Sequence, residues 1–212
     1  MKNLALEINA LERALLSLDN DQAESIVRKS ISKGSPIVIA SELVSQTLQR
    51  IGDAWEDGKL ALSQVYMSGI ICEGIIDQIL PPSDPNRKDQ PKMAIAVFED
   101  YHLLGKRIIY STLRASGFEL IDLGGGLNTD NLIKLVQKEH IEILLLSVLM
   151  LPSALRIKEL KERLADTNVK IIVGGAPFRF DTNLWKEIGA DGFGKDSSEA
   201  IEIVTKLMEE KQ

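Results

Sequence analysis

A carboxylate, an imidazole and a glycine follow one another in the order Asp100-x-His102-x-x-Gly105. An apolar run over residues 93–98 precedes them, and a helical pattern begins at Lys106, so the sequence predicts that they lie where a strand leads into a helix. In open α/β sheets, ligands bind at such places. An acid beside an imidazole can support general-base chemistry, or it can fix the tautomer of a histidine that binds a metal.

The number of available ligands narrows the metal hypothesis. The chain has two histidines and one cysteine, and no second ligand is evident beside His102. A zinc or iron ion held by protein alone would require three or four ligands. A single histidine therefore implies a metal that arrives with most of its ligands already in place, in a macrocycle. His140 is predicted to be an exposed turn residue, and Cys72 a core residue of an apolar helix.

Composition excludes several classes of protein. The 212 residues are 44% hydrophobic, which is enough for a sizeable core, and the net charge of -6 argues against a nucleic-acid partner. No run of about 18 apolar residues exists, so no membrane partner or span is expected. One cysteine suits a reducing compartment, and the expected location is the cytoplasm.

Residues 1–80 show helical periodicity with short breaks, which predicts an N-terminal four-helix bundle. Asp19 to Asp21 can cap the second helix, and Ser35-Pro36 can start the third. Residues 81–91 hold four of the seven prolines and are predicted to be a linker, because proline supports neither a helix nor a central strand.

Residues 92–212 alternate between strand and helix patterns, so the fold class is α/β, with a flavodoxin/Rossmann-like five-stranded parallel sheet after the bundle. The strands are apolar on both faces, which is typical of a parallel sheet covered on two sides. Strands are predicted at 93–98, 119–123, 143–148, 170–173 and 191–193, and helices at 106–116, 129–139, 153–165, 182–188 and 197–210.

Small and polar residues follow two further strands, at Ser147-x-Leu149 with Ser153 beyond it, and at Gly174-Gly175. The carboxyl ends of parallel strands share one edge, so we expect these residues to lie near His102. Glycines there let a bulky group approach the backbone. The triplet at 124–126 lacks the Lys-Ser/Thr of a phosphate loop and is predicted to be a flexible turn.

Together, Asp100-x-His102-x-x-Gly105, Ser147-x-Leu149 and Gly174-Gly175 resemble the three-part signature of cobalamin-binding domains of the "base-off, His-on" type. The bundle and linker resemble the cap domain of corrinoid proteins in methyltransferase systems and the matching segment of cobalamin-dependent methionine synthase. Residues 189–196 are similar to a closing segment of those corrinoid proteins. The resemblance covers essentially the whole chain.

This resemblance implies a role for each matching residue. His102 would be the lower axial ligand of cobalt, Asp100 would accept the other ring N–H, and Ser153 would extend a proton relay. Tyr66 and Met67 are predicted to be core residues of the bundle, with covering the upper face of cobalt as the alternative. The slot for the nucleotide tail of the cofactor would be lined by Gly105, Ser147, Leu149, Gly174 and Gly175.

Two segments depart from the pattern of the family. Glu99 stands where many members have glycine, and residues 122–128 replace a hydrophobic, proline-containing loop. Neither change removes a signature residue.

The function that the resemblance implies is that of a corrinoid carrier. It would take a methyl group from a substrate-specific methyltransferase and pass it to an acceptor methyltransferase acting on tetrahydrofolate or a thiol, with a reductive activase as a further partner. Such a chain has no complete active site of its own. Two alternatives are a cobalamin sensor, which usually adds a signalling domain for which this chain has no room, and the small cobalamin-binding subunit of a mutase, which usually lacks a four-helix cap.

Overall fold

The computed structural model describes residues 4–31, 43–79 and 90–209. These residues form two compact units: one contains the described residues before position 80 together with Ser111–Glu119, and the other contains Gln90–Tyr110 and the chain from Leu120 onward. The predicted linker lies almost wholly outside the described residues, so the proposed domain boundaries stay a prediction. The assignment of Ser111–Glu119 to the first unit was not part of that prediction.

Four helices build the first unit within the described residues. Helix α1 packs against the other three, and α4 also packs against α2 and α3. Fully buried side chains in their core include Leu11, Leu15, Val27, Ile51, Cys72 and Ile76. This confirms the helical N-terminal region. The helices are α1 (Ala5–Leu16), α2 (Asn20–Ile31), α3 (Ser45–Glu56) and α4 (Leu62–Ile79).

Local chemistry explains several details of the first unit. Asp19 caps α2, as predicted, because its Oδ1 accepts the backbone N–H of Gln22 at 3.0 Å. The predicted helix start at Ser35-Pro36 lies outside the described residues. Cys72 is a core residue, as predicted, and burial raises the pKa of its thiol to about 12. In the segment Ser111–Glu119, Arg114 is buried and forms ion pairs with Asp77 and Glu119.

The second unit is a parallel sheet in the strand order β2-β1-β3-β4-β5, the flavodoxin-like order, which confirms the predicted fold. Helices connect the strands. The strands are β1 (Met93–Val97), β2 (Leu120–Asp122), β3 (Ile143–Ser147), β4 (Lys170–Gly174) and β5 (Gly192–Phe193). The helices are α5 (Leu103–Ala115), whose residues from Ser111 onward belong to the first unit, α6 (Thr129–Glu139), α7 (Leu151–Arg163), α8 (Ala176–Phe180), α9 (Leu184–Glu187) and α10 (Ser197–Glu209).

The central strands β1, β3 and β4 are buried on both faces, as the apolar runs predicted, whereas two of the three residues of the edge strand β2 are exposed. Every residue of β1 is buried. On one face, Ala94 and Ala96 of β1 belong to a cluster with Leu144 of β3 and with Ile157 and Leu160 of α7. None of the described helices is long and apolar enough to cross a bilayer.

Two helices begin earlier than the sequence predicted, and one helix was missed. Helix α5 begins at Leu103 rather than at 106, directly after the loop in which the Asp100 carboxylate accepts the backbone N–H groups of Tyr101 and His102. Helix α7 begins at Leu151 rather than at 153, with Pro152 in its first turn, where a missing N–H is tolerated. Helix α8 was not predicted. Gly105 and Ser153 therefore lie in the first turns of their helices.

Candidate functional site

The predicted site residues lie at the point where the strand order reverses. Strand β1 pairs with β2 on one side and with β3 on the other, and ligands of open α/β sheets bind in the crevice that such a reversal creates. The last residues of three neighbouring strands are in register: Val97 pairs with Ser147, and Ser147 pairs with Gly174. The three sequence segments singled out above therefore share one edge of the sheet.

The imidazole of His102 is held by Asp100 at this edge. Its Nδ1 faces Asp100 Oδ1 at hydrogen-bond distance. The His102 side chain is 74% exposed, whereas Asp100 is 7% exposed. The Asp100 carboxylate thus fixes the ring through Nδ1 and leaves Nε2 available to bind a metal. Metal-binding histidines show this arrangement, in which a carboxylate fixes the tautomer and raises the basicity of the ligating nitrogen.

Asp100 stays ionised at neutral pH. Its Oδ1 also accepts the backbone N–H of Tyr101 at 2.6 Å and that of His102 at 2.9 Å. Burial raises the pKa of Asp100, but the hydrogen bonds from the His102 ring and from these two backbone groups outweigh it, so the pKa lies below the usual aspartate value. A charged carboxylate is the form that accepts an N–H from a ligating imidazole.

Small residues line the crevice beside His102. A Cβ built on Gly105 would approach Ser147 Oγ at 3.7 Å, so Gly105 and Ser147 face each other across it. A Cβ on Gly174 would come within 3.0 Å of Gly194 O. Gly175 has φ of +119°, and a Cβ there would overlap Val148 O, so the protein's own backbone requires glycine at this position.

Leu149 and Ser153 differ from each other in how far they are exposed to solvent. Leu149 is 40% exposed after the end of β3, whereas Ser153 is buried as the third residue of α7. Among the described residues, Ser153 makes no hydrogen bond to Asp100 or His102. Its role in a proton relay stays a prediction.

The glycine-rich turn after β2 supports the loop of His102, which the sequence did not reveal. Gly126 N–H donates to Asp100 O at 2.6 Å, and Val97 N–H donates to Gly124 O at 3.0 Å. A Cβ on Gly126 would overlap the Tyr101 ring, so the aromatic ring lies directly against this turn. The predicted turn is present, and it is hydrogen-bonded to the strand and loop that carry the imidazole.

A buried lysine holds the same turn. The side chain of Lys106, in the first half of α5, is 3% exposed, and its ammonium forms an ion pair with Asp122 at the end of β2. Asp122 Oδ1 also accepts the Gly124 N–H at 2.7 Å. The sequence signal for this pair would have been a lysine near the start of a helix and an acid at a strand end.

Other predicted residues lie elsewhere. His140 is exposed in a left-handed turn after α6, which confirms the prediction for this histidine. In α4 of the first unit, Met67 is exposed and Tyr66 is partly buried, and their place above cobalt stays a prediction.

The residues at this edge fit a corrinoid. Within residues 4–31, 43–79 and 90–209, no group of three or more His, Cys, Asp or Glu side chains could hold a metal ion, so the chemistry of the donor set fits a metal already held by a macrocycle. Ser198, in the first turn of α10 after β5, is buried, and its hydroxyl lacks a hydrogen-bond partner. A polar group of a buried ligand would satisfy it. The fold and the site define a binding domain for a large, flat, metal-bearing cofactor with a buried tail.

Comparison with known proteins agrees with this class. The B12 binding domain family matches residues 92–202, and a second B12 binding domain family matches residues 7–80. The chain therefore belongs to the B12 binding domain family. It is 28% identical over 210 residues to monomethylamine corrinoid protein 1 of Methanosarcina barkeri, covering 93% of this chain and 95% of that protein.

Two solved structures share the fold. A cobalamin-binding protein from Desulfitobacterium hafniense DCB-2 superposes with a TM-score of 0.73 and 26% identity, covering 94% of this chain and 97% of the other. A chain of the methanol:cobalamin methyltransferase complex from Methanosarcina barkeri superposes with a TM-score of 0.65 over 96% of this chain and 80% of the other. That likeness, at 20% identity, concerns the fold alone.

Proposed function

We propose that this chain is a corrinoid carrier protein of a methyltransferase system, with His102 as the protein ligand of cobalt. The observation that carries the proposal is the exposed His102 ring, fixed through Nδ1 by a buried, ionised Asp100 at the reversal of the strand order. When bound, the cobalt of the corrinoid supplies the chemistry, because it can accept a methyl group and release it. Methylamine corrinoid proteins that match nearly the whole chain support this role.

In this proposal, the chain's own residues bind the corrinoid and orient the His102 ring. Asp100 holds the His102 N–H, and Gly105 and Ser147 flank the crevice into which the nucleotide tail would pass. Leu149, Gly174 and Gly175 complete that slot in the proposal, and Ser153 would relay a proton to the Asp100–His102 pair.

The proposed partners supply the rest of the reaction. A methyltransferase specific for the methyl donor would load the carrier, and a second one would transfer the methyl group to tetrahydrofolate or a thiol. A reductive activase would restore the carrier after oxidation. The monomethylamine and trimethylamine corrinoid proteins that match nearly the whole chain support a place in such a system. A cytoplasmic location is part of the proposal, supported by a single, buried cysteine.

Reconstitution with hydroxocobalamin tests the role of His102. The full chain should retain the corrinoid, and its Co(II) form should show nitrogen splitting in the electron paramagnetic resonance spectrum. Labelling with ¹⁵N-histidine should change that splitting, because the corrinoid's own base remains ¹⁴N. His102→Ala should abolish the protein-derived splitting.

The second histidine provides the matched control. His140 is exposed and lies in a left-handed turn (φ 54°), which asparagine tolerates, so His140→Asn should leave the spectrum unchanged. A wild-type chain that retains no corrinoid would overturn the proposal. The carrier role predicts in addition that the reduced holoprotein accepts a methyl group only when a partner methyltransferase is present.

A further inference from the structure

Glu99 adopts a backbone conformation that disfavours a side chain. It is the second residue after β1 and has φ of +53°, in the left-handed region where a Cβ is unfavourable. A glutamate here therefore needs a compensating interaction.

That interaction is an ion pair with Arg156 of α7. Arg156 Nε donates to Glu99 Oε2 at 2.5 Å, and Nη2 of the same guanidinium contacts the same oxygen. The Glu99 side chain is 15% exposed and that of Arg156 is 55% exposed. The ion pair joins the loop after β1 to the helix that follows the neighbouring strand β3.

The loop is tied to its other neighbour through the backbone. Glu99 N–H donates to Leu127 O at 3.0 Å, and Asp100 O accepts the Gly126 N–H at 2.6 Å, both in the segment after β2. Glu99 and Asp100 are thus held on one side by main-chain hydrogen bonds and on the other side by Arg156. Asp100 in turn holds the His102 ring.

We propose that the Glu99–Arg156 ion pair is a positioning contact that preorganises His102 for binding to cobalt. A loop that is already ordered loses less conformational freedom when its histidine binds, so the ligand binds more strongly. The inference rests on the proposed function, because it requires His102 to be the lower ligand. Its test is chosen so that the two can fail separately.

The experiment measures how easily added imidazole displaces His102. The full chain, labelled with ¹⁵N-histidine and loaded with cobalamin in the Co(II) form, is titrated with unlabelled imidazole, and the nitrogen splitting reports which imidazole is bound. In Arg156→Gln and in Glu99→Gln, the imidazole concentration that displaces half of His102 should fall about two- to fivefold, the range that an ion pair with a half-exposed arginine supports. In the double variant, this concentration should fall no further than in the more strongly affected single variant, because the two side chains act as one pair.

A matched control lies on the same helix. Arg163 of α7 is 43% exposed and pairs with Asp130 and Glu159, away from the loop. Arg163→Gln should leave the displacing concentration unchanged. An equal change in this variant would overturn the inference, because the effect would then belong to any lost charge on α7.

Glu99→Gly separates positioning from simple stabilisation. Glycine accepts the left-handed backbone, so the urea midpoint of the apoprotein should be no lower than that of Arg156→Gln, while His102 should still be displaced more easily than in the wild type. Unchanged displacement in Glu99→Gly and Arg156→Gln, with normal splitting in the wild type, overturns this inference alone. A wild type without protein-derived splitting overturns both the role of His102 and the inference.

Discussion

Two aspartates at opposite edges of the sheet accept similar hydrogen bonds but have different structural roles. Asp100, at the carboxyl edge after β1, accepts two backbone N–H groups and the His102 ring. Asp191, at the amino edge before β5, accepts the Ile171 N–H at 2.8 Å and pairs with Lys161. In both, burial raises the pKa, but hydrogen bonds and charges from the partners lower it by a larger amount, so the pKa of each carboxyl lies below the usual aspartate value.

The two carboxylates differ in where their partners come from. Every hydrogen-bond partner of the Asp100 side chain lies within two residues of it in sequence, and the His102 ring is largely exposed. The partners of Asp191 come from α7 and β4, and the Lys161 side chain is 28% exposed. A carboxylate with distant partners joins elements and stabilises the fold. One with local partners orients a single exposed group and leaves the fold almost independent of it.

The largest effect on stability is expected at the amino edge. Asp191→Ala leaves the Ile171 N–H without its acceptor and Lys161 without its counter-charge, and should lower the free energy of unfolding by about 2 to 3 kcal/mol, the cost of losing hydrogen bonds to a charged group. Urea unfolding of the apoprotein measures this. A variant as stable as the wild type would show that Asp191 does not join these elements.

The corresponding substitution at the carboxyl edge, Asp100→Asn, should weaken the binding of His102 to cobalt and change the stability of the fold very little. Asp100→Asn removes the charge that holds the His102 N–H, so His102 should be displaced from cobalt by about tenfold less imidazole, as for other partners of metal-binding histidines. Stability should change by less than about 1 kcal/mol, since the partners are local and the ring is exposed. Asp191→Asn is the matched control and should leave displacement unchanged; equal effects of the two variants would contradict the distinction between the edges.

Periodicity was enough to predict the sheet. Apolar runs that alternate with helical patterns led to five parallel strands, and the strand order then placed the segments at His102, Ser147 and Gly174 on one edge. The missed helix α8 follows two glycines and contains proline, so it has little helical signal of its own. Its formation depends on packing against β4.

The supporting contacts of the site could not be read from the sequence. Glu99 and Arg156 are 57 residues apart, and nothing in their neighbourhood marks them as a pair. The left-handed backbone at Glu99 is also not apparent from this sequence, because glutamate rarely adopts a positive φ. The different places of residues 189–196 were also not apparent from the sequence, because Asp191 lies at the amino edge of the sheet and Gly194 beyond its carboxyl end. Only the short length of β5 brings them into one segment.

Acid should reduce the contribution of Asp191 in a predictable direction. Its pKa is lower in the folded chain than in the unfolded one, so as pH falls the unfolded chain takes up the proton first. The stability that the carboxylate contributes is complete above its ordinary pKa and is lost as pH falls through the folded value. Asp191→Asn should therefore be about 1 kcal/mol less stable than the wild type at pH 7, and the difference should narrow below about pH 4. Urea midpoints at both pH values test this, and a gap that widens in acid would contradict it.

The smallest effect is expected at Lys170, the most exposed partner of Asp191. Its Nζ lies 3.5 Å from Asp191 Oδ1, and its side chain is 45% exposed, so Lys170→Gln should cost at most about 0.5 kcal/mol. Lys161→Gln should cost more, because Lys161 is less exposed and contacts the oxygen that also accepts the Ile171 N–H. Urea unfolding of the two variants ranks them. If Lys170→Gln lowered stability more than Lys161→Gln, the contribution of Asp191 would come from the net positive charge around it rather than from the partly buried contact that joins α7 to β4.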